Sequence, residues 1–167
     1  MDEAGFQLLP TVVRTYAPRS ETPVLPETAT REHVSMISGV TPAGTLWTHS
    51  QDESIKGPAV VRFLMHLQRH LGPRLLVAWD RASIHRGQPV EQFLAAPPAD
   101  GIEVVPLPGY APELNPDEGV WRYLKHELAN VSCQDLPQLR RELRRATERL
   151  RNRPDLIRSF FAGAGYG

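Results

Sequence analysis

Apolar residues return along this chain with two different spacings, and each spacing names an element. From Lys56 to His70 the residues Val60, Phe63, Leu64 and Leu67, continued by Leu71, recur every three or four positions, which is one buried face of a helix. The Gly72-Pro73 pair then stops it. Two other stretches are almost continuously apolar: "RLLVAW", closing on Asp80, and "GIEVVPL", residues 101–107. Runs this short and this unbroken predict strands covered on both faces by helices. Upstream, "EHVSMISGV" and "GTLWTHS" flank the turn-forming "TPAG" and predict a hairpin. "PVEQFLAA" predicts a short helix stopped by Pro97-Pro98, and further helices are expected from Pro116 to about Asn130 and from about Leu136 to Arg151. Residues 17–30, "APRSETPVLPETAT", read as an irregular loop. Hairpin, helix, strand, helix, strand, helix, helix is the order of a mixed α/β sheet with helices on its faces.

Composition narrows the class. A chain of 167 residues with 41% apolar and 23% charged positions is expected to form one domain with a real core rather than a disordered tail. Lys plus Arg and Asp plus Glu both number 19, so net charge neither demands nor excludes a polyanionic partner. Cys133 is the only cysteine, which excludes an internal disulfide and a cysteine-based zinc site and fits a reducing compartment. "MDEAGFQLLP" has no signal-peptide pattern, and no apolar run approaches the ~20 residues of a membrane helix. A soluble, cytoplasmic chain with no membrane partner is the expectation.

Candidate chemistry rests on acids at the ends of elements. Asp80 follows "LLVAW" directly, and a carboxylate at the C-terminal end of a buried strand lies where open α/β sheets bind ligands. It is equally a turn-capping residue in "DRAS". Glu118 falls in "VPLPGYAPELNPDEGVW", where Asn115 suits a helix N-cap and Pro116 the first helical position. Glu118 then either reaches back to the Asn115 amide, pairs with Arg122, or is aimed by the rigid proline loop at a fixed point as a metal ligand. Asp2 and Glu3 open the chain, where exposed acids usually do nothing.

Taken together these segments resemble a known family. "WDRASIHRG" followed by "EVVPLPGYAPELNPDEGVWRYLKHEL" is similar to the DDE endonuclease domain of bacterial insertion-sequence transposases of the mariner superfamily. There an Asp-Asn-Ala-x-x-His segment ends one strand, and a Leu-Pro-x-Tyr-Ser-Pro-x-Leu-Asn-Pro-x-Glu-x-x-Trp segment opens a helix. "DEAGFQLLP" and "RTYAPRSETP" resemble the family's first acidic segment and its continuation. The resemblance implies a ribonuclease-H-like mixed sheet flanked by helices, a single catalytic domain over residues 1–167, and three catalytic, metal-ligating carboxylates: Asp2, Asp80 and Glu118. Glu113 and Glu3 rank below them as neighbours.

Two Mg²⁺ (or Mn²⁺) ions are implied as cofactors, since hard cations take oxygen ligands and a pair of them activates the nucleophile and stabilises the leaving oxygen. The implied reaction is cleavage at transposon ends followed by strand transfer into target DNA, commonly at TA dinucleotides. The implied partners are DNA and a second copy of the chain in the DNA complex. His85 matches the family's histidine, either touching DNA or supporting the metal site, or serving as a structural hydrogen-bonding residue. Tyr110 either stacks on a base or packs beneath its loop. Arg122 and Lys125 follow Glu118 as candidate phosphate contacts. Seven arginines from Arg140 to Arg153 against Glu142 and Glu148 form either a phosphate-binding surface or a solvated, internally paired helix face.

Two departures stand out. Arg81 replaces the family's usual Asn and is free either to pair with Asp80 or to contact a phosphate. Asp2 has no apolar strand before it, so the first central strand is expected to be mostly missing, along with helix-turn-helix DNA-binding domains. Three origins fit that expectation: a truncated relic, a mis-called start codon, or the second half of a split transposase whose N-terminal half is supplied in trans. The alternative expectation for function is therefore a truncated, catalytically silent remnant or a non-catalytic DNA-binding or assembly partner.

Overall fold

The computed structural model describes residues 1–8 and 32–166, so the loop expected over 17–30 lies outside it. Among the described residues five strands and five helices alternate much as the apolar pattern predicts. The strands are β1 (Asp2–Gln7), β2 (His33–Val40), β3 (Leu46–Gln51), β4 (Leu75–Trp79) and β5 (Ile102–Pro106). The helices are α1 (Gly57–Leu71), α2 (Gln88–Leu94), α3 (Asp117–Glu127), α4 (Leu136–Arg151) and α5 (Pro154–Gly163).

The hairpin forms as expected. Its turn closes with Gly44 donating to Thr41 O at 2.9 Å, and Gly44 takes φ 87°, a left-handed conformation that glycine adopts without strain. Antiparallel pairing continues from β2 to β1, with Asp2 opposite Ser38 and Gln7 opposite His33. The expected sheet is divided: β1-β2-β3 form one antiparallel sheet, and β4 pairs in parallel with β5 from Leu75–Ile102 to Trp79–Pro106. The two sheets meet where the amino group of Met1 donates to Ala78 O at 2.8 Å. Asp2–Gln7 form a six-residue strand whose first residue is the acid of interest.

Side chains on β2 alternate between two layers, as a pleated strand requires. Val34 and Met36 join Phe6, Leu8, Trp121, Leu124, Leu139 and Leu150 in a core shared with α3, α4 and α5. Ile37 faces the opposite way, into a core with Val60, Phe63, Leu64, Val77, Trp79 and Val90 beneath α1 and α2. The sheet edges bearing Asp2 and Asp80 thus lie between two independently packed helical layers.

Two boundaries differ from expectation. Helix α3 starts at Asp117 and ends at Glu127, not about Asn130, because Asn130 turns left-handed at φ 60°. Helix α5 was not foreseen. It packs on α3 so closely that a methyl group at Gly119 would collide with the Phe160 ring. A side chain in the position next to Glu118 is excluded for that reason.

Candidate active site

Asp2 is held by three N–H donors from two directions. Its Oδ1 accepts from the Glu3 backbone at 2.8 Å. Its Oδ2 accepts from Asn115 Nδ2 and from Trp121 Nε1, each at 3.0 Å. With only 8% of its surface exposed, the carboxyl pays for burial first of all, and its pKa rises to about 6. The Glu3 and Trp121 hydrogen bonds pull it down, while the charges of Asp117 and Glu3 push it further up. Asp2 is therefore neither exposed nor idle, unlike most acids near a chain terminus.

Asp80 lies immediately after β4 and is half open to solvent, its side chain 49% exposed. The backbone of Ala82 donates to its Oδ1 at 2.9 Å, the turn-capping bond that "DRAS" predicts. His85, in the 3-10 turn Ser83–Arg86, is fully enclosed and lies flat on Trp79, ring centroids 4.5 Å apart and 3° from parallel. Its Nδ1 is 3.0 Å from Asp80 Oδ1 and its Nε2 is 2.9 Å from Glu3 Oε1. Burial alone lowers the imidazole pKa, but the hydrogen bond and charge of Glu3, followed by those of Asp80, outweigh it and raise the value above 6.5. A ring so enclosed does not reach DNA. It ties the end of β4 to β1, and Glu3 is the residue that sequence reasoning missed. The signal was strand alternation, which sends Glu3 to the face opposite Asp2.

The proline loop leads to the third acid, in the first turn of α3. Leu107 donates to Trp79 O at 2.7 Å, fixing the loop's start beside Asp80. A 3-10 turn over Pro112–Leu114 then delivers Asn115, whose Oδ1 accepts from the Asp117 backbone at 3.2 Å. Asn115 thus caps α3 with one end of its amide and holds Asp2 with the other. Asp117 is wholly buried; one oxygen accepts from the Ser38 hydroxyl and the other faces the Met1 amino group at 2.9 Å. Glu118 has neither anticipated partner: Asn115 N donates to Pro112 O instead, and no ion pair joins Glu118 to Arg122 among the described residues. It lies one turn after Asn115 and one turn before Trp121, between the two side chains that grip Asp2. Among the described residues no three His, Cys, Asp or Glu side chains stand close enough to enclose an ion. Asp2 opens β1, Asp80 follows β4 and Glu118 lies in the first turn of α3, and the three do not close on a single point.

The cations divide. Arg81 is exposed and makes no ion pair with Asp80, whose Oδ1 is taken by Ala82 and His85. Arg122 and Lys125 are exposed on α3. On α4, Arg140, Arg145, Arg149 and Arg151 pair with Asp52, Glu142, Glu127 and Glu148, so much of the basic surplus is neutralised within the fold. Tyr110 is fully exposed (107%) and does not pack beneath its loop.

Helices packed on two sheets, with Asp2 opening β1 and Asp80 following β4, make a ribonuclease-H-like fold, and solved structures share that fold. The chain superposes on the Mos1 mariner paired-end complex with Mg at a TM-score of 0.70, with 16% identity over 98% of this chain and 52% of that one. It matches the Mos1 paired-end complex with left transposon end at 0.62, with 16% identity over 99% of this chain and 55% of that one. Against the catalytic domain of Mos1 mariner transposase the score is 0.55, with 16% identity over 85% of this chain and 79% of that one. The chain thus spans about half the length of the Mos1 chain in those complexes. The profile of the DDE superfamily endonucleases matches residues 1–140, and the chain belongs to that family. No curated protein sequence matches it. Among the described residues no helix is long and apolar enough to cross a membrane.

Proposed function

We propose that this chain is the catalytic domain of a DNA transposase, cleaving phosphodiesters at transposon ends and joining the freed 3′-hydroxyl to target DNA. Asp2, Asp80 and Glu118 would be the catalytic carboxylates and would hold Mg²⁺ or Mn²⁺, two ions in the complete site. The observation that carries this reading is the grip on Asp2. Asn115 and Trp121 hold it from either side of Glu118 along α3, while Glu3 and His85 tie the neighbouring strand position to Asp80.

The donor set fits a hard cation. All three acids offer oxygen, and Asp80 Oδ2 and the Glu118 carboxylate have no protein partner among the described residues. Bound cations would supply charge neutralisation at the phosphate and a more acidic nucleophilic water. The chain supplies the rest. Asp2, locked by three donors, is the fixed reference point. His85 holds Asp80 at one oxygen and leaves the other outward. Glu118, with no bond to give up, is the adjustable acid. Arg81, Arg122 and Lys125 are exposed and unpaired among the described residues, placed to meet phosphates. The Mos1 complexes contain transposon ends, and one of them Mg. By extension this chain's partners are DNA and, in the DNA complex, a second copy of itself.

One observation favours a catalytically silent DNA-binding partner instead: the three carboxylates do not close on one point. A single experiment separates the readings. Purified chain is incubated with Mg²⁺ or Mn²⁺ and supercoiled plasmid carrying the DNA that flanks its coding sequence, and nicking is followed on gels. Wild type nicks, and Asp80→Asn loses about 10²–10⁴-fold in rate, the equivalent of several kcal/mol of transition-state stabilisation. Asp80→Asn protein that nicks as fast as wild type ends the catalytic reading.

A further inference from the structure

Tyr110 has no reason in the fold to be a tyrosine. Its ring is fully exposed, and it takes part in no hydrogen bond or ring contact among the described residues. Its backbone sits at φ 56°, a left-handed conformation that disfavours every side chain of its kind. Asn130 is the one other described non-glycine residue with positive φ, and asparagine tolerates it. Gly109, immediately before, has open space around it and no positive φ, so the strained position of the turn is the one that carries the aromatic.

The loop around Tyr110 is stiff and anchored at both ends. Pro108 and Pro112 flank it, and the 3-10 turn Pro112–Leu114 braces its far side. Leu107 and Asn115 are buried, while residues 108–110, 112 and 113 are exposed, so the segment stands out as a ridge. One anchor bonds to Trp79 beside Asp80 and the other grips Asp2. Three residues of chain from Leu107 hold Tyr110 within roughly 11 Å of that anchor. A ring presented edge and face to water, on a rigid support whose anchors bond beside Asp80 and to Asp2, is a stacking platform.

We propose that Tyr110 stacks on an unpaired DNA base next to the phosphate being cleaved, so that the site takes DNA opened locally rather than a closed duplex. The proposal rests on the nuclease reading above and names the form of its substrate. Exposed Arg122, on the helix that follows the loop, and exposed Arg81, in the turn after β4, are placed to hold the backbone on either side of the opened base.

The test uses the full chain with Mn²⁺ and two fluorescein-labelled duplexes of one sequence, the first fully paired and the second with a three-nucleotide mismatched bubble carrying 2-aminopurine. Wild type is expected to bind the bubble more tightly than the paired duplex and to quench 2-aminopurine. Tyr110→Ala is expected to weaken bubble binding about tenfold or more and to abolish the quench, with paired binding little changed. Tyr110→Trp should retain both signals, and Tyr110→Gly, which relieves the backbone, should lose them while melting no lower than wild type. Unchanged bubble affinity in Tyr110→Ala, or an equal loss on both duplexes, overturns the proposal. Plasmid nicking is scored separately: wild type that shows the Tyr110 effect but never nicks removes the catalytic reading and leaves base stacking standing.

Discussion

Asp117 and Glu118 are neighbours in the first turn of α3, and the fold treats them oppositely. Asp117 points inward, has no exposed surface, and joins Ser38 on β2 to the Met1 amino group. Glu118 lies on the face that Asn115 and Trp121 share, with no hydrogen-bond or ion-pair partner among the described residues. The same division runs through the whole site. Its inner wall, Asp2 with Asn115 and Trp121, is saturated with donors; its outer lip, Asp80 and Glu118, keeps oxygens open. A buried carboxylate surrounded by N–H groups serves architecture, and a half-exposed one with free lone pairs is available for chemistry. Asp2 belongs to the wall by its bonds and to the lip by its position, which makes it the hinge of the proposed mechanism.

The sharpest way to break this comparison is to truncate one acid of the pair. Asp117→Ala leaves a buried ammonium and the Ser38 hydroxyl without their partner and should cost about 3–5 kcal/mol in denaturant unfolding. Glu118→Gln should change stability by no more than about 0.5 kcal/mol. Equal costs would erase the distinction between wall and lip.

The next largest effect is in Asp2 and pH. Its folded pKa of about 6 lies above the ordinary 3.8, so the folded state binds the proton more tightly than the unfolded state. Stability from this group is therefore full below pH 3.8 and is lost as pH rises to about 6, a change of about 3 kcal/mol. Melting wild type against Asp2→Asn, a neutral stand-in for the protonated acid, from pH 4 to 7 should show wild type losing stability relative to the variant as pH rises. Added Mg²⁺ at pH 7 should raise the melting temperature of wild type and not of the variant.

Smaller effects probe the supports. Gly119→Ala should cost about 1–3 kcal/mol by thermal melting, because its methyl must displace the Phe160 ring. Asn115→Ala should cost about 1–2 kcal/mol, since it removes both the α3 cap and a donor to Asp2. It should also weaken Mn²⁺ binding about 10–100-fold, as loss of an orienting partner does.

Much of this arrangement is legible in the residue order, and the illegible parts share a cause. The strand leading to Asp80 and the loop leading to Glu118 are local patterns: an apolar run that stops at an acid, and prolines that place an asparagine before a helix. Asp2 was readable as chemistry only through the family resemblance. Its burial depends on Trp121 and Asn115, more than a hundred positions away. The role of His85 likewise waits on Glu3, 82 residues distant, and no local pattern distinguishes a histidine stacked on Trp79 from one facing DNA. Helix α5 escaped notice because it is short and ends in Ala and Gly. Yet Leu156, Ile157, Phe160 and Phe161 carry its spacing, and the missing side chain at Gly119 marks where it docks. The arginines of α4 show the converse error: a basic row reads as a surface for phosphate until its acidic partners just after β3, on α3 and on α4 itself are in view.

The central claim is that Asp2, Asp80 and Glu118 act together on a divalent cation. Calorimetric titration of Mn²⁺ into wild type and into Asp2→Asn, Asp80→Asn and Glu118→Gln tests it without DNA or turnover. The account predicts saturable binding by wild type and at least about tenfold weaker binding in each variant. Binding by all three variants that matches wild type would contradict it.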